Sequence, residues 1–469
     1  MFSFSGRLAV SRPVLNRSLL PVVFSLAWPT MLQELMDTAV QYIDTAMVGS
    51  IGTRATAAVG STVTVGWLVI SSVAALGVGF LSYIAKAYGA GEKSRAGDAS
   101  AQALLVVLLA GTVLTAAMLS LSTRIPIWMK VTTDVRDLAS AYFFILYLPM
   151  LPRTAEVIFG MILRASGDTR TPLRVGICVN LTNIILNFFL IYHSRSILLA
   201  GFPLRLYGAG LGVRGAAIAS AVSVTLGGVL MTAALWRHKE LSPRGRSILP
   251  RPEILKPCLR VALPNMLQRF CTSLGYVVFA SMINSLGQIS VAAHTIANTV
   301  ESAFYVPGYG MQSAAATLTG NAIGAKDQKR MQELSTVIIV LEVSMMIITG
   351  SLLFLFAPFM AGLFSSDQEV IALSSFVLRL VALSEPFYGI SIVTEGMLQG
   401  AGETATPFLF NVLCMWGVRI LGTFLCIHIF HLGLVSAWVC MIADNMLLLI
   451  LFRLYFTHGR WRRLPGVFS

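Results

Sequence analysis

Apolar runs of about 20 residues or more recur along this chain from end to end, and that pattern leaves few folds open. The hydrocarbon core of a bilayer offers the backbone no hydrogen-bond partner, so runs of this kind cross it as helices. Twelve candidate spans can be drawn, at 19–48, 56–84, 99–122, 136–163, 172–192, 212–236, 258–284, 290–318, 333–357, 368–399, 407–430 and 433–457. Several exceed the ~20 residues a crossing needs, which predicts tilted or kinked helices. A β-barrel would show period-two alternation in short segments instead. Charged residues make up 12% of the chain, against about 25% in soluble proteins. The expected class is an all-α polytopic membrane protein.

The net charge of +13 does not point to nucleic acid. With the N-terminus placed inside and residues near a span end counted with the adjoining loop, 23 of the 34 Lys and Arg fall in cytoplasmic segments, seven in outer loops and four (Arg153, Arg269, Arg379, Arg419) deep within spans. That bias places both termini in the cytoplasm and accounts for the basic balance. No cleavable signal peptide is expected, because the first apolar segment runs on into charged residues without a small-residue cleavage site. The six cysteines lie in or beside apolar segments with no metal-ligand spacing, and they are read as small core residues.

The chain repeats itself at a constant offset. Pro29 in LAWPTMLQ matches Pro264 in VALPNMLQ, so that 264 − 29 = 235. Gly52 and Gly287, Gly89 and Gly324, and the segments LRASGDTRTP (163–172) and LQGAGETATP (398–407) keep that offset. After span 5 the register changes, and the first half holds 14 extra residues in an outer loop (235 − 221 = 14). Six spans per half return the chain to the same side, so the halves are expected as two lobes related by an axis along the membrane normal. The expected division is an N-terminal tail (1–18), an N-lobe (19–236), a basic linker (237–257), a C-lobe (258–457) and a C-terminal tail (458–469). In the repeated loop, Thr171 and Thr406 are expected to cap the next helix, with Pro172 and Pro407 in its first turn.

Span 1 carries Glu34, Asp37, Gln41 and Asp44 at helical spacing, so the four share one face over roughly 15 Å. A charge at the bilayer centre costs on the order of 2.5–3.5 kcal/mol even on the insertion scale, so this face must meet protein or a wet cavity. Asn180, Asn183 and Asn187 in span 5 are spaced the same way, and an amide hydrogen-bonds a carboxyl in either protonation state. The bland alternative is interhelical glue.

The blocks DTAMVGSIG, AKAYGAGEKSRA, LRASGDTRTP, VAAHTIANTVESAFYVPGYGMQSAAATLTGNAIGAKD and LQGAGETATP, in this order, resemble the multidrug and toxic compound extrusion (MATE) family, in its DinF-like bacterial branch, from about residue 20 to 457. The resemblance implies two six-helix lobes in a V, exporting amphipathic, often cationic compounds in exchange for H⁺ or Na⁺. It also implies that Asp44 is the span-1 carboxylate of ion coupling, with Asn183 and Asn187 at the span-5 positions around it. Asn187 stands where the family pattern has Asp, and Asp37 is the candidate to supply the missing charge. Sodium-coupled members carry a Glu on span 7 and an Asp on span 10. The corresponding residues here are Thr272 and Tyr388, so a C-lobe sodium site is not expected and H⁺ is preferred to Na⁺.

The repeat removes the acidic stripe from the second half, where its equivalents are Arg269, Thr272, Tyr276 and Phe279. Coupling is therefore expected in the N-lobe, with no cofactor and no metal. Glu301, Tyr388 and Thr272 are candidates for contact with cargo. Arg153 and Glu156 are expected to pair at i,i+3, and Glu342, Glu385, Glu395 and Asp444 are expected at interfaces or in pairs. Gly210-x-Gly212-x-x-Gly215 matches a dinucleotide pattern but follows no strand, so it is read as helix packing. No phosphate loop or nucleophile elbow is present. The expectation is a monomeric, non-enzymatic multidrug antiporter of the bacterial inner membrane. The alternatives are a lipid-linked oligosaccharide flippase of the same superfamily and an integral membrane enzyme.

Overall fold

The computed structural model describes residues 16–199 and 202–458; most of the N-terminal tail and nearly all of the C-terminal tail lie outside them. The helices are α1 (Leu20–Gly49), α2 (Thr53–Gly89), α3 (Lys93–Leu121), α4 (Ile125–Trp128), α5 (Thr133–Tyr147), α6 (Met150–Ala165), α7 (Arg170–Ile191), α8 (Gly212–Arg237), α9 (Pro252–Asn284), α10 (Gln288–Gly324), α11 (Gln328–Gly362), α12 (Gln368–Ala382), α13 (Glu385–Gly400), α14 (Ala405–Cys414), α15 (Leu421–Phe424) and α16 (Leu434–His458). Two strands, β1 (His193–Leu199) and β2 (Phe202–Ala209), form an antiparallel hairpin between α7 and α8. That hairpin occupies the place of the extra outer-loop residues, and it puts a strand directly before Gly210, contrary to expectation. The strand belongs to an antiparallel hairpin, not to a parallel βαβ unit, so the dinucleotide pattern still lacks its context.

Among the described residues, nine helices are long and apolar enough to cross a bilayer, and the bent pairs α5–α6 and α12–α13 bring the number to 11. The pairs turn by 49° and 55°. Pro149 sits at the first bend and Pro386 at the start of α13, and a residue without a backbone N–H cannot continue the ladder. The twelfth span is α10, as long as α2 but diluted by Thr, Asn, Ser, His294 and Glu301. It lies in the middle of the molecule, against α1, α2, α11 and α13. The eleventh span continues α14 through π-helical turns at Met415–Ile420 and Leu425–Ile429.

Helix ends reproduce the repeat. The ends of α2 and α10 (324 − 89 = 235), the bends (385 − 150 = 235) and the starts of α7 and α14 (405 − 170 = 235) keep the same offset. The chain thus folds as twelve membrane helices in two six-helix lobes. The lobes exchange contacts reciprocally, α1 packing on α10 and α9 on α2. Val23 and Ala27 of α1 join a core built mostly of C-lobe residues, and Ile254 and Cys258 of α9 join the N-lobe core.

On the side of the termini the lobes are sealed against each other. A Cβ added at Gly89 would lie 1.9 Å from the Asn321 carbonyl oxygen, and one at Gly324 would lie 2.0 Å from that of Lys86. These four residues are two equivalent pairs (321 − 86 = 235), so α2 and α10 cross backbone to backbone about the pseudo-two-fold axis. Two equivalent hydroxyls add to the seal (317 − 82 = 235): Ser82 donates to the Gly400 carbonyl at 3.1 Å and Thr317 to that of Arg164 at 3.3 Å. Lys86, drawn as a loop residue by the span limits above, lies inside α2 and donates to the Ala401 carbonyl at 2.6 Å.

Several local expectations need correction. The caps of α7 and α14 come from carboxylates: Asp168 accepts from the Thr171 N–H at 3.0 Å, and Glu403 accepts from the Thr406 N–H at 3.0 Å. Thr406 is itself a donor to Glu403. The preceding Gly167 (φ 94°) and Gly402 (φ 79°) take the left-handed turn that brings those acids back. The segment read as linker is shorter, because α9 starts at Pro252, and it is docked: Asp98 accepts from Arg246 at 2.7 Å and Arg251 at 3.1 Å. Glu240 bonds Lys93 and Tyr88, and these donors, Lys93 first, hold its carboxyl below the usual range. Arg153 and Glu156 form no ion pair; the Glu156 carboxylate lies against Gly227 of α8 instead.

Candidate functional site

The acidic face of α1 meets α7 along a ladder with constant residue difference. Asn180 donates to Asp37 Oδ1 at 2.8 Å and Asn187 donates to Asp44 Oδ1 at 2.6 Å (180 − 37 = 187 − 44 = 143). Gly176 lies against Gln33 at the same difference. A constant difference means parallel helices in fixed register, and rungs seven residues apart are two turns, about 10 Å, from one another.

The upper rung is the more elaborate. Asn187 also donates to Asn183 Oδ1 at 2.9 Å. Asn183 donates to Ser220 of α8 at 3.2 Å in one amide orientation; turned over, it accepts from Ser220 at 3.2 Å and donates to Asp44 at 2.8 Å. The second orientation gives Asp44 two amide donors, for which a carboxylate has the lone pairs, at the loss of the Asn187–Asn183 bond. Asn183 and Asn187 are buried and Asp44 is half-buried. Asn187 Oδ1 has no partner. The amide nitrogen of Asn187, not this oxygen, faces Asp44.

The seven residues of the stripe and its partner helix therefore divide into two clusters and two separate residues. Asp44, Asn183 and Asn187 form one site. Asp37 and Asn180 form a second, so Asp37 does not sit in the place left by Asn187 and does not join the Asp44 cluster. Glu34 belongs to neither: Arg164 and Arg269 lie within its electrostatic reach. Arg164 is anchored on Gln33 at 2.8 Å, and Arg269 is the repeat equivalent of Glu34 (269 − 34 = 235). Opposite charges thus stand at equivalent positions across the pseudo-axis. Gln41 is exposed and its side chain makes no hydrogen bond among the described residues.

In the C-lobe, Tyr388 lies in an aromatic cluster. Its ring is 5.8 Å from that of Tyr305, and its hydroxyl is 3.4 Å from that of Tyr309. Thr272 is half-buried and makes no side-chain hydrogen bond among the described residues. Glu301 is buried. It does not neutralise Arg419, whose Nε donates to Asp444 at 2.7 Å with both side chains 6% exposed. Nor are the remaining acids interfacial. Glu395 is held by Gln268 at 2.9 Å and Gln399 at 3.1 Å, while Glu342 and Glu385 are 0% and 1% exposed with no partner for any carboxyl oxygen. The sequence carries a signal for the burial of these two: each is an acid with no base at helical spacing inside an apolar segment.

Two lobes of six helices, sealed together on one side, with a carboxylate–amide ladder along the helix that crosses between them, define a membrane carrier. A family model described as MatE matches the chain twice, over residues 29–189 and 264–425, and the two matches start 235 residues apart (264 − 29 = 235). The chain belongs to this family of multi-pass transporters. It is 28% identical over 441 residues to a probable multidrug resistance protein NorM of Thermotoga maritima, covering 94% of this chain and 93% of that one. It superposes on a crystal structure of MATE in complex with MaD3S with a TM-score of 0.85 at 25% identity, covering 94% of this chain and 96% of that one. An outward-facing conformation of a multidrug resistance MATE family transporter of the MOP superfamily gives the same TM-score, 0.85, at 25% identity, covering 96% and 98%.

Proposed function

We propose that this protein exports amphipathic, often cationic compounds across the bacterial inner membrane in exchange for protons, by alternating access, as a monomer with both termini in the cytoplasm. Relatives named for multidrug resistance support the cargo class, and the Lys and Arg bias supports the orientation. In this reading the glycine crossing of α2 and α10 is the closed cytoplasmic gate.

The observation that carries the coupling ion is the Asp44 rung. When ionised, Asp44 accepts from Asn187 and, with the Asn183 amide turned over, from Asn183; when protonated it becomes a donor and needs an amide oxygen, which either asparagine supplies once its amide turns. Gain or loss of one proton therefore reverses a donor–acceptor relation between α1 and α7, and it biases the packing of the helix that crosses from lobe to lobe. A ligand shifts such an equilibrium only through its differential affinity for the two states, and the reversed bond supplies that difference. A proton needs only the Asp44 carboxylate, whereas Na⁺ needs several oxygen ligands and would require the amides, whose nitrogen faces Asp44 at Asn187, to turn their oxygens toward it.

The test is ethidium movement in everted vesicles under an imposed pH gradient or an imposed Na⁺ gradient. Movement driven by the pH gradient and not by Na⁺ is expected. Movement driven by Na⁺ alone would replace the coupling ion, and movement under neither gradient would defeat antiport.

A further inference from the structure

We infer that the C-lobe holds a proton-binding site of its own, formed by Glu342, Glu385 and Glu301 in the packed interior of α10, α11 and α13. Its place in transport rests on the antiport reading above; its occupancy by protons does not.

Glu342 of α11 is wholly buried, and its carboxyl is seated between two glycines of neighbouring helices. A Cβ at Gly308 of α10 would lie 2.8 Å from its Oε1, and one at Gly389 of α13 would lie 3.0 Å away. Neither oxygen has a hydrogen-bond partner. Glu385, one turn before Gly389, is buried likewise with both oxygens unpartnered. Glu301, two turns before Gly308, completes the group, and Glu385 lies within electrostatic reach of both other acids.

The groups that face the cluster do not compensate it. Arg419, from the π-helical part of the eleventh span, reaches Glu301 but is bound to Asp444 at 2.7 Å and to Asn445 at 3.3 Å. From α10 and α13 come Tyr305, Tyr309 and Tyr388, and from α9 Tyr276, over whose ring the Arg419 guanidinium lies at 5.5 Å. A buried carboxylate without donors is far costlier than its neutral acid, and neighbouring carboxylates add repulsion. In this conformation the cluster therefore carries protons. Among the described residues its acids do not close into a metal-ligating group, and the glycine seats leave room for nothing larger than the acid itself.

The repeat supplies an internal control. Subtracting 235 from Glu301, Glu342 and Glu385 gives Gly66, Val107 and Met150, and the glycine seats become Val73 and Thr154. The N-lobe fills the same backbone positions without an acid, with Val107 and Met150 buried. The scaffold therefore does not require carboxyls here, and their glycine seats occur only in the lobe that has them. Nor is this the C-lobe site implied by the family resemblance, whose positions are Thr272 and Tyr388. Tyr305 lies within electrostatic reach of Glu301 and Glu385 and packs on Tyr309, itself 38% exposed.

The test is pH-difference infrared spectroscopy of the full-length protein in lipid nanodiscs, reading the C=O stretch of protonated carboxyls. Glu342→Gln and Glu385→Gln, both isosteric with the protonated acid, are compared with Asp44→Asn; size-exclusion and thermal melts check folding. Loss of part of the neutral-pH band in either Glu variant, with that part retained in Asp44→Asn, is expected. No such band in the wild type, or a band untouched by both Glu variants, overturns the inference. A wild type that shows the band but fails to move ethidium under a pH gradient would remove the antiport reading and leave the site standing.

Discussion

The two lobes share a backbone and differ in how they treat carboxyl groups. In the N-lobe, Asp37 and Asp44 line a helix face, each with an amide donor from α7, and Asp37 is exposed. In the C-lobe, Glu342 and Glu385 are sealed among helices with no donor. None of these acids has an acid at its repeat equivalent: Asp37 and Asp44 map to Thr272 and Phe279, and Glu342 and Glu385 map to Val107 and Met150. The duplication preserved helix ends, bends and glycine crossings, which set the backbone path. It left the polar chemistry free to diverge, because a side chain inside a lobe is judged only by its own neighbours.

The comparison can be attacked where it predicts most. Arg419–Asp444 is a buried ion pair of the C-lobe, and truncating one partner strands the other; Arg419→Leu should cost about 3–5 kcal/mol, read as a lowered thermal midpoint in detergent. Asp444→Asn at the same site should cost less, since the amide still accepts from Arg419. If Arg419→Leu leaves the midpoint unchanged, the pair is not the structural anchor of the lobe.

Next in size is the N-lobe site. Asp44→Asn fixes the rung in its neutral donor set, and efflux driven by a pH gradient should fall by on the order of a hundredfold, the range of a lost proton-transfer group. Full pH-driven ethidium movement by this variant would shift coupling to the C-lobe and reverse the assignment of the two lobes.

The glycine seats offer a smaller but more selective measurement. Gly389→Ala drives a methyl against Met346 and the Glu342 carboxyl and should destabilise by about 1–3 kcal/mol, the usual cost of overpacking. Adding Glu342→Val, the residue the N-lobe uses at that position, should recover the part of the loss due to the carboxyl. Strict additivity in this double-mutant cycle would show that the glycine and the acid are not coupled.

Smallest of all should be Asp37→Asn. Asp37 has its own rung, about 10 Å along the helix from Asp44, and Asn180 still has an acceptor in the variant. Less than a tenfold loss of pH-driven efflux is expected. A loss equal to that of Asp44→Asn would merge the two rungs into one titrating unit.

The chain alone determined a good deal of this. Twelve apolar runs and a repeat at 235 are one-dimensional facts, and they specify twelve helices in two like lobes because hydrophobic length and backbone satisfaction in lipid leave no other solution. Asp44, Asn183 and Asn187 were legible for the same reason, since helical spacing puts each set on one face. What tertiary structure decided were the partners across helices. Spacing along α1 could not reveal that Glu34 answers to Arg164 and Arg269 while Asp37 answers to Asn180. Nor could it reveal that Glu342 and Glu385, 43 residues apart in sequence (385 − 342 = 43), are buried within reach of each other, with Glu342 between glycines of α10 and α13. Register between helices comes from side-chain packing in three dimensions, and it decides which carboxyls find a donor and which must keep a proton.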